Sequence, residues 1–258
     1  MKKVYAVLNL VIALAVIAWN GLSNTGVIGD KTVGDVSDDL NNLFTPAGYA
    51  FSIWGIIFLG LIINGGYQVY IAYKGSEEQQ KFVLTGPWLI IANIANGVWI
   101  WFWLNEYVGI SVLIMIVLLL TLLRSNLNLG IQKVKVSRSI LTMSWWPLNL
   151  YLGWISVALI ANIAAYLSQI GWADTVNEEL YTILMILVAI AVNLFVLFTR
   201  NMRTFCWVGV WALLAIASRS EITAIYYTAF YSAILLAVIT GAHILIKLGR
   251  GGTVFFSR

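Results

Sequence analysis

Apolar runs fill most of this chain, and short polar clusters separate them. A helix needs about 20 apolar residues to cross a hydrocarbon core about 30 Å thick. Eight runs approach that measure: Val4–Leu22, Ala47–Tyr73, Trp88–Asn105, Tyr107–Leu123, Trp146–Ile170, Leu180–Thr199, Phe205–Ser218 and Ile222–Ile246. The third and fourth meet around Asn105 and Glu106, so they predict a helical hairpin. The seventh is the shortest. The pattern predicts an all-α fold, a polytopic transmembrane bundle of about eight helices.

The polar clusters test that count. Alternating the loops puts Lys2, Lys3, Lys74, Lys81, Arg124, Lys133, Lys135, Arg138, Arg200, Arg203, Lys247, Arg250 and Arg258 on one side. Only Lys31 and Arg219 fall on the other, together with nine of the eleven acids: Asp30, Asp35, Asp38, Asp39, Glu106, Asp174, Glu178, Glu179 and Glu221. A wrong count would scramble this partition, so the positive-inside rule supports the spans and predicts cytoplasmic N- and C-termini. The Lys-rich start and the charge bias suit a prokaryotic inner membrane. Lys2, Lys3 and the apolar run to Val16, Ile17 and Ala18 also resemble a signal peptide. Trp19, Asn20 and a helical length continuing to Leu22 favour an uncleaved anchor. The outer loop from Ser23 to Phe44 is polar and is expected to fold over the outer mouth of the bundle.

Composition agrees with the pattern. The chain has 258 residues, 61% hydrophobic and only 10% charged, against roughly a quarter charged in soluble domains. The net charge of +4 does not imply nucleic acid, because the basic residues punctuate apolar runs and form no stripe on a polar domain. The single cysteine, Cys206, allows no intrachain disulfide and reads as a small buried hydrophobe.

The spans carry no Lys, Arg, Asp or Glu near their middles, which argues against a proton-coupled pump and excludes a retinal Schiff base. No phosphate-binding Gly-x-x-x-x-Gly-Lys-Ser/Thr loop exists, so the chain is not itself an ATPase. Their polar residues are amides instead: Asn9, Asn20, Asn64, Gln68, Asn93, Asn96, Asn149, Asn162 and Asn193. Such amides serve as glue between helices, worth about 1 kcal/mol each, or as donors to a ligand. Asn93, Asn96, Ile100 and Trp103 share one helix face, which suits either an interior seam or a ligand wall.

Tryptophan is the other anomaly, with twelve residues. Trp19, Trp88, Trp145, Trp146 and Trp172 fall near span ends, where interfacial anchoring explains them. Trp54, Trp99, Trp154, Trp207 and Trp211 lie deeper and fit either helix packing or a pocket for a planar or greasy molecule. Catalytic candidates are few. His243 sits one turn before Lys247 near the membrane edge, the acids cluster on the opposite side, and one His with one Cys is too little for a zinc site of the usual kind. Glu77 and Glu78 lie in a polar Lys74-to-Lys81 loop that reads as solvated.

The stretch Phe44-Thr45-Pro46-Ala47-Gly48-Tyr49-Ala50-Phe51-Ser52-Ile53-Trp54 resembles the approach to the second helix of the TspO/MBR family. Members of that family, the translocator proteins or tryptophan-rich sensory proteins, typically have Thr-Pro-Pro-Gly-Trp-x-Phe followed by a Trp there. Asn96-Gly97-Val98-Trp99-Ile100-Trp101-Phe102 resembles the family's third helix. The segment from Trp146 to Ala158, with Tyr151-Leu152-Gly153-Trp154-Ile155-Ser156-Val157-Ala158, resembles its fifth, and Asn162 takes the place of its Asn. Ala47 stands for the second Pro and Tyr49 for the Trp of the first motif, and three helices from Leu180 to Ile246 extend beyond the usual five.

The resemblance implies a TspO-like five-helix core over residues 1–170, with the outer loop 23–44, followed by three additional C-terminal helices and a short cytoplasmic tail over 171–258. It implies a pocket for a tetrapyrrole, sterol or lipid-like molecule, in a sensor or transporter without a required cofactor. The residues expected to bind are Pro46, Tyr49, Trp54, Asn96, Trp99, Trp103, Trp154 and Asn162. Expected partners are membrane lipids, the hydrophobic molecule itself, and a second copy or another membrane protein. An accessory subunit of a larger complex is the alternative, with Gly55, Gly60, Gly65 and Gly66 as a packing face. A membrane enzyme is weakened by the missing acid/base cluster.

Overall fold

The computed structural model of the chain describes residues 1–26, 30–40, 42–172 and 176–249, with side chains through residue 246. Helices dominate, and the described residues contain no strand. Eight are long: α1 (Lys2–Ser23), α3 (Ile53–Lys74), α5 (Trp88–Leu104), α6 (Val108–Asn128), α8 (Trp146–Gln169), α9 (Glu178–Arg200), α10 (Arg203–Arg219) and α11 (Thr223–Gly249). Shorter ones are α2 (Val33–Asp39), α4 (Glu77–Val83) and α7 (Arg138–Ile140). A 3-10 turn, Gly48–Ser52, leads into α3, and a π-turn, Leu141–Trp145, leads into α8. Among the described residues seven helices are long and apolar enough to cross a membrane. The eighth, α10, has 17 residues, about 25 Å of helix, and packs against α8, α9 and α11.

Side chains that would be costly on a soluble surface cover the outside, among them Leu59, Leu113, Phe195 and Val238. Lipid covers such a surface without penalty, so apolarity does not mark the inner face of each helix. Small residues and amides mark it instead. Gly65 of α3 packs on Leu10 of α1, where an added Cβ would lie 3.1 Å from the Leu10 Cα. Gly60 of α3 receives Pro147 of α8 in the same way. Asn9 of α1 donates to Thr85 at 3.1 Å and to the Gly86 carbonyl at 3.1 Å, and Gln68 of α3 donates to Asn64 at 2.7 Å. These contacts close α1, α3, α8, α6 and α5 into a ring, each helix packed on the next and α5 back on α1. The helices α9, α10 and α11 pack on one another, and α10 joins them to the ring through α8.

Hydrogen bonds sort the loops onto two ends. Lys2 donates to Gln80, Tyr67 to Ser139, and Arg124 lies over the Trp88 ring, so Met1 and the segments 75–87 and 129–145 share one end. At the other, Gln169 donates to the Glu106 carbonyl, the Leu43 N–H to Glu178, and Arg219 pairs with Asp38. The described basic residues, save Lys31 and Arg219, gather at the first end. Asp174, Arg250 and Arg258 lie outside the described residues, as does the side chain of Lys247.

Two local expectations are revised. The Lys74-to-Lys81 segment is not irregular: Ser76 and Gln79 form a capping box that starts α4, although Glu77 and Glu78 are exposed as expected. Trp145 is not an interfacial anchor. It is 1% exposed and donates its indole N–H to the Phe82 carbonyl at 3.0 Å, tying α4 beneath α8.

Candidate functional site

The ring encloses a pocket at the acidic end. Its walls are indoles at helical spacing. Trp99 and Trp103, four residues apart on α5, stack at 5.5 Å with an interplanar angle of 22°. Trp54 of α3 meets Trp154 of α8 edge-on at 6.4 Å and Tyr151 at 5.9 Å. Phe51, in the 3-10 turn, meets Trp154 edge-on at 6.1 Å. Edge-to-face pairs of this kind suit the ring quadrupoles and hold each indole at a fixed angle.

Hydrogen bonds fix the same rings from behind. Trp99 donates to Asn162 Oδ1 at 2.9 Å, and Asn162 exchanges bonds with Ser111 of α6 at 2.9 and 3.1 Å. Trp103 donates to the Val33 carbonyl at 3.1 Å, which docks the start of α2 on α5. The short α2 forms because Thr32 and Asp35 make a capping box, each side chain accepting from the other's backbone N–H. Those bonds, the one from the Thr32 backbone first, hold the Asp35 carboxyl below its ordinary value. Lys31 is shared between Glu106 at 2.7 Å and Asp39 at 2.9 Å, and the two carboxylates, Glu106 foremost, raise its ammonium pKa. Helix α2 therefore lies across the mouth as a lid, with Val33 and Ser37 in the lining.

The enclosed space is about 40 Å³, room for about one or two waters and well below the roughly 300 Å³ at which small-molecule pockets begin. Narrow crevices between the rings surround it. Among the described residues no Lys, Arg, His, Asp or Glu lines it. Its polar groups are Ser37, Thr45, Asn162 and the indole N–H groups. Thr45 is 2% exposed and its Oγ1 has no hydrogen-bond partner.

Six of the eight expected residues line this one pocket: Pro46, Trp54, Trp99, Trp103, Trp154 and Asn162. Tyr49 and Asn96 do not. Tyr49 is exposed on the outside of the turn, edge-on to Trp211 of α10 at 5.2 Å. Asn96 faces α1 and accepts from Asn20 at 3.2 Å. Met115 and Ala161 complete the lining and carried no signal of their own, while Thr45, Phe51, Val157 and Ala158 stood within the family-like segments. Val33 and Ser37 were legible only through the Thr32/Asp35 capping pair.

Residues 6–242 match the family model described as TSPO-like protein. The chain belongs to the TSPO-like protein family. No curated protein matches it, and no solved structure does. The matched region of this TSPO-like chain runs past the five-helix ring, through α9 and α10 and into α11. Its deep tryptophans divide by role. Trp54, Trp99 and Trp154 line the pocket, Trp211 packs on the turn before α3, and Trp207 faces outward, 46% exposed. Its amides divide too: most bond between helices, whereas Asn93 and Asn149 are buried with neither side-chain atom paired. The four glycines of α3 do not form one free face, because Pro147 and Leu10 already occupy Gly60 and Gly65. Only Gly55 and Gly66 have open space beside them.

Proposed function

We propose that this TSPO-like protein binds a hydrophobic small molecule, a tetrapyrrole, sterol or lipid-like compound, in the indole-lined pocket beneath α2, as a sensor or transporter. The convergence of Trp54, Trp99, Trp103 and Trp154 from three helices on one space carries the reading. Four indoles offer flat, polarizable walls, and helix packing alone needs no shared cavity between them. The lining has no cation among the described residues, so a carboxylate would be buried there without a partner at a cost of several kcal/mol. The part of the ligand that enters is therefore neutral, and any acidic side chains of a tetrapyrrole remain at the mouth. Thr45 Oγ1, buried and unpaired, supplies one hydrogen-bonding point for a polar edge. The space is narrow, so loading requires the lid or the indoles to move.

In this reading residues 1–170 are the binding unit and 171–258 an addition to it. The basic end is cytoplasmic, in a prokaryotic inner membrane, with both termini there. The accessory-subunit alternative draws on a small-residue face that the chain itself half occupies; stable copurification with one other membrane protein would favour it.

Porphyrin quenching of intrinsic tryptophan fluorescence, in purified protein in lipid nanodiscs, tests the pocket. Saturable quenching is expected in the wild type and its loss in the Trp54→Ala/Trp154→Ala double variant. Equal quenching in both would move the binding elsewhere and remove the proposal.

A further inference from the structure

We propose that α9–α11 act as a built-in clamp on the mouth of the pocket, with Glu178, Trp211 and Arg219 as its positioning residues. The consequence for ligand exchange rests on the pocket reading above; the contacts themselves do not.

Each contact falls on the segment that closes the pocket. Trp211 donates its indole N–H to the Ala50 carbonyl at 3.1 Å, in the 3-10 turn that leads into α3. The Ala47 N–H donates to the Ala215 carbonyl of α10 at 3.0 Å. Tyr49 packs on Trp211 and accepts a hydrogen bond from Ser218 at 3.4 Å. Arg219 pairs with Asp38 of α2, and Glu178 at the start of α9 accepts from the Leu43 N–H at 3.1 Å. The pocket residues Thr45 and Pro46 lie between these anchor points in sequence, and Phe51 follows Ala50 directly.

The base of the clamp is fixed. Gly153 of α8 lets α10 approach so closely that a Cβ there would lie 3.2 Å from the Phe205 Cα. A movement of the turn away from α10 therefore breaks the bonds at Ala47 and Ala50 unless α10 leaves its seat on α8 with it.

The sequence carries a second, independent sign. Ala47 and Tyr49 are the two positions where the turn departs from the family-like pattern, and both touch α10. A proline at 47 has no N–H to give to Ala215. The Ala47 φ of −58° suits proline, so Ala47→Pro removes that one bond while leaving the backbone as it is.

Amide hydrogen exchange over residues 42–53 of the ligand-free protein in nanodiscs reads the clamp directly. In the Trp211→Phe/Ala47→Pro double variant, which keeps the ring and loses both donors, exchange is expected to rise about ten-fold or more. Arg219→Gln, a change at the protein surface, gives a smaller rise and serves if the double variant does not fold. Lys133→Gln, at the opposite end, leaves exchange unchanged. Exchange that stays at the wild-type rate in both clamp variants overturns the proposal.

Release of bound porphyrin, followed by recovery of fluorescence, is the second arm. Release that quickens together with exchange supports the clamp. Faster exchange with unaltered release overturns it as a control on the pocket. If the wild type binds no porphyrin while exchange still rises, the clamp stands and the pocket reading is what fails.

Discussion

At the scale of single residues, the lid is held by groups whose protonation is set to persist across ordinary pH. The bonds from Thr32 lower the Asp35 pKa. Its contribution to α2 is present above the unfolded value, about 3.9, and is lost as pH falls through the lowered one. Lys31 runs the other way. Glu106 and Asp39 raise its pKa, so as far as its own titration goes its contribution is complete below about 10.4 and disappears as pH rises through the raised value. Protection of the α2 amides, corrected for intrinsic exchange, is thus expected to be flat from about pH 5 to pH 9 and to fall below about pH 4. Asp35→Asn should lower protection already at neutral pH and shrink the acid limb. An acid limb of unchanged size in that variant would show that Asp35 does not hold the helix. Salt should weaken the Lys31 contribution as well, since the charges involved are open to solvent.

At the scale of elements, what the sequence discloses is hydropathy and what it conceals is packing. The expected spans and the observed helices agree to within a few residues, as with Trp88–Asn105 against Trp88–Leu104 and Trp146–Ile170 against Trp146–Gln169. Bilayer thickness imposes length, and that constraint is written directly in apolar runs. The helices α2 and α4 are short and polar, so hydropathy passes over them, and only their capping pairs announce them. The site was legible where chemistry is rare: indoles and an amide inside a membrane stand out, and Trp54, Trp99, Trp154 and Asn162 converge. Met115 and Ala161 were not, because nothing distinguishes an apolar residue facing a pocket from one facing lipid. Glycine contrasts make the hidden packing measurable. Gly153→Ala forces α10 off α8, where the new Cβ would meet the Phe205 backbone, and overpacking of that kind costs about 1–3 kcal/mol. Gly66→Ala on α3 meets nothing and gains helix propensity, so it should stabilise by about 0.5–1 kcal/mol. Reversible unfolding in detergent micelles checks the opposite signs. Two destabilising changes would mean that Gly66 itself sits in a tight contact, contrary to the open space beside it.

At the scale of the whole molecule, the two cations that break the charge partition prove to be the two that hold the lid. Every other described basic residue gathers at the end bearing Met1, whereas Lys31 pairs with Asp39 and Glu106 and Arg219 pairs with Asp38. Two basic residues are a small minority against those at the other end, so the positive-inside rule keeps its direction whatever they pair with. Orientation and lid closure are therefore expected to draw on separate sets of charges, and they can be taken apart experimentally. In a Lys31→Gln/Arg219→Gln variant, reporter fusions after Lys135 and after Glu106 should still report cytoplasmic and external positions, respectively, as in the wild type. Amides of α2 in that same variant should exchange several-fold faster. Reporters on inverted sides in the wild type would refute the cytoplasmic assignment of the basic end. Altered sides in the variant alone would show that Lys31 and Arg219 steer insertion and are not confined to the lid. Removing the positive charge of Lys133, Lys135 and Arg138 together is the converse experiment. It should disturb the topology of α6 and α8 while leaving the lid pairs, at the far end of the bundle, in place.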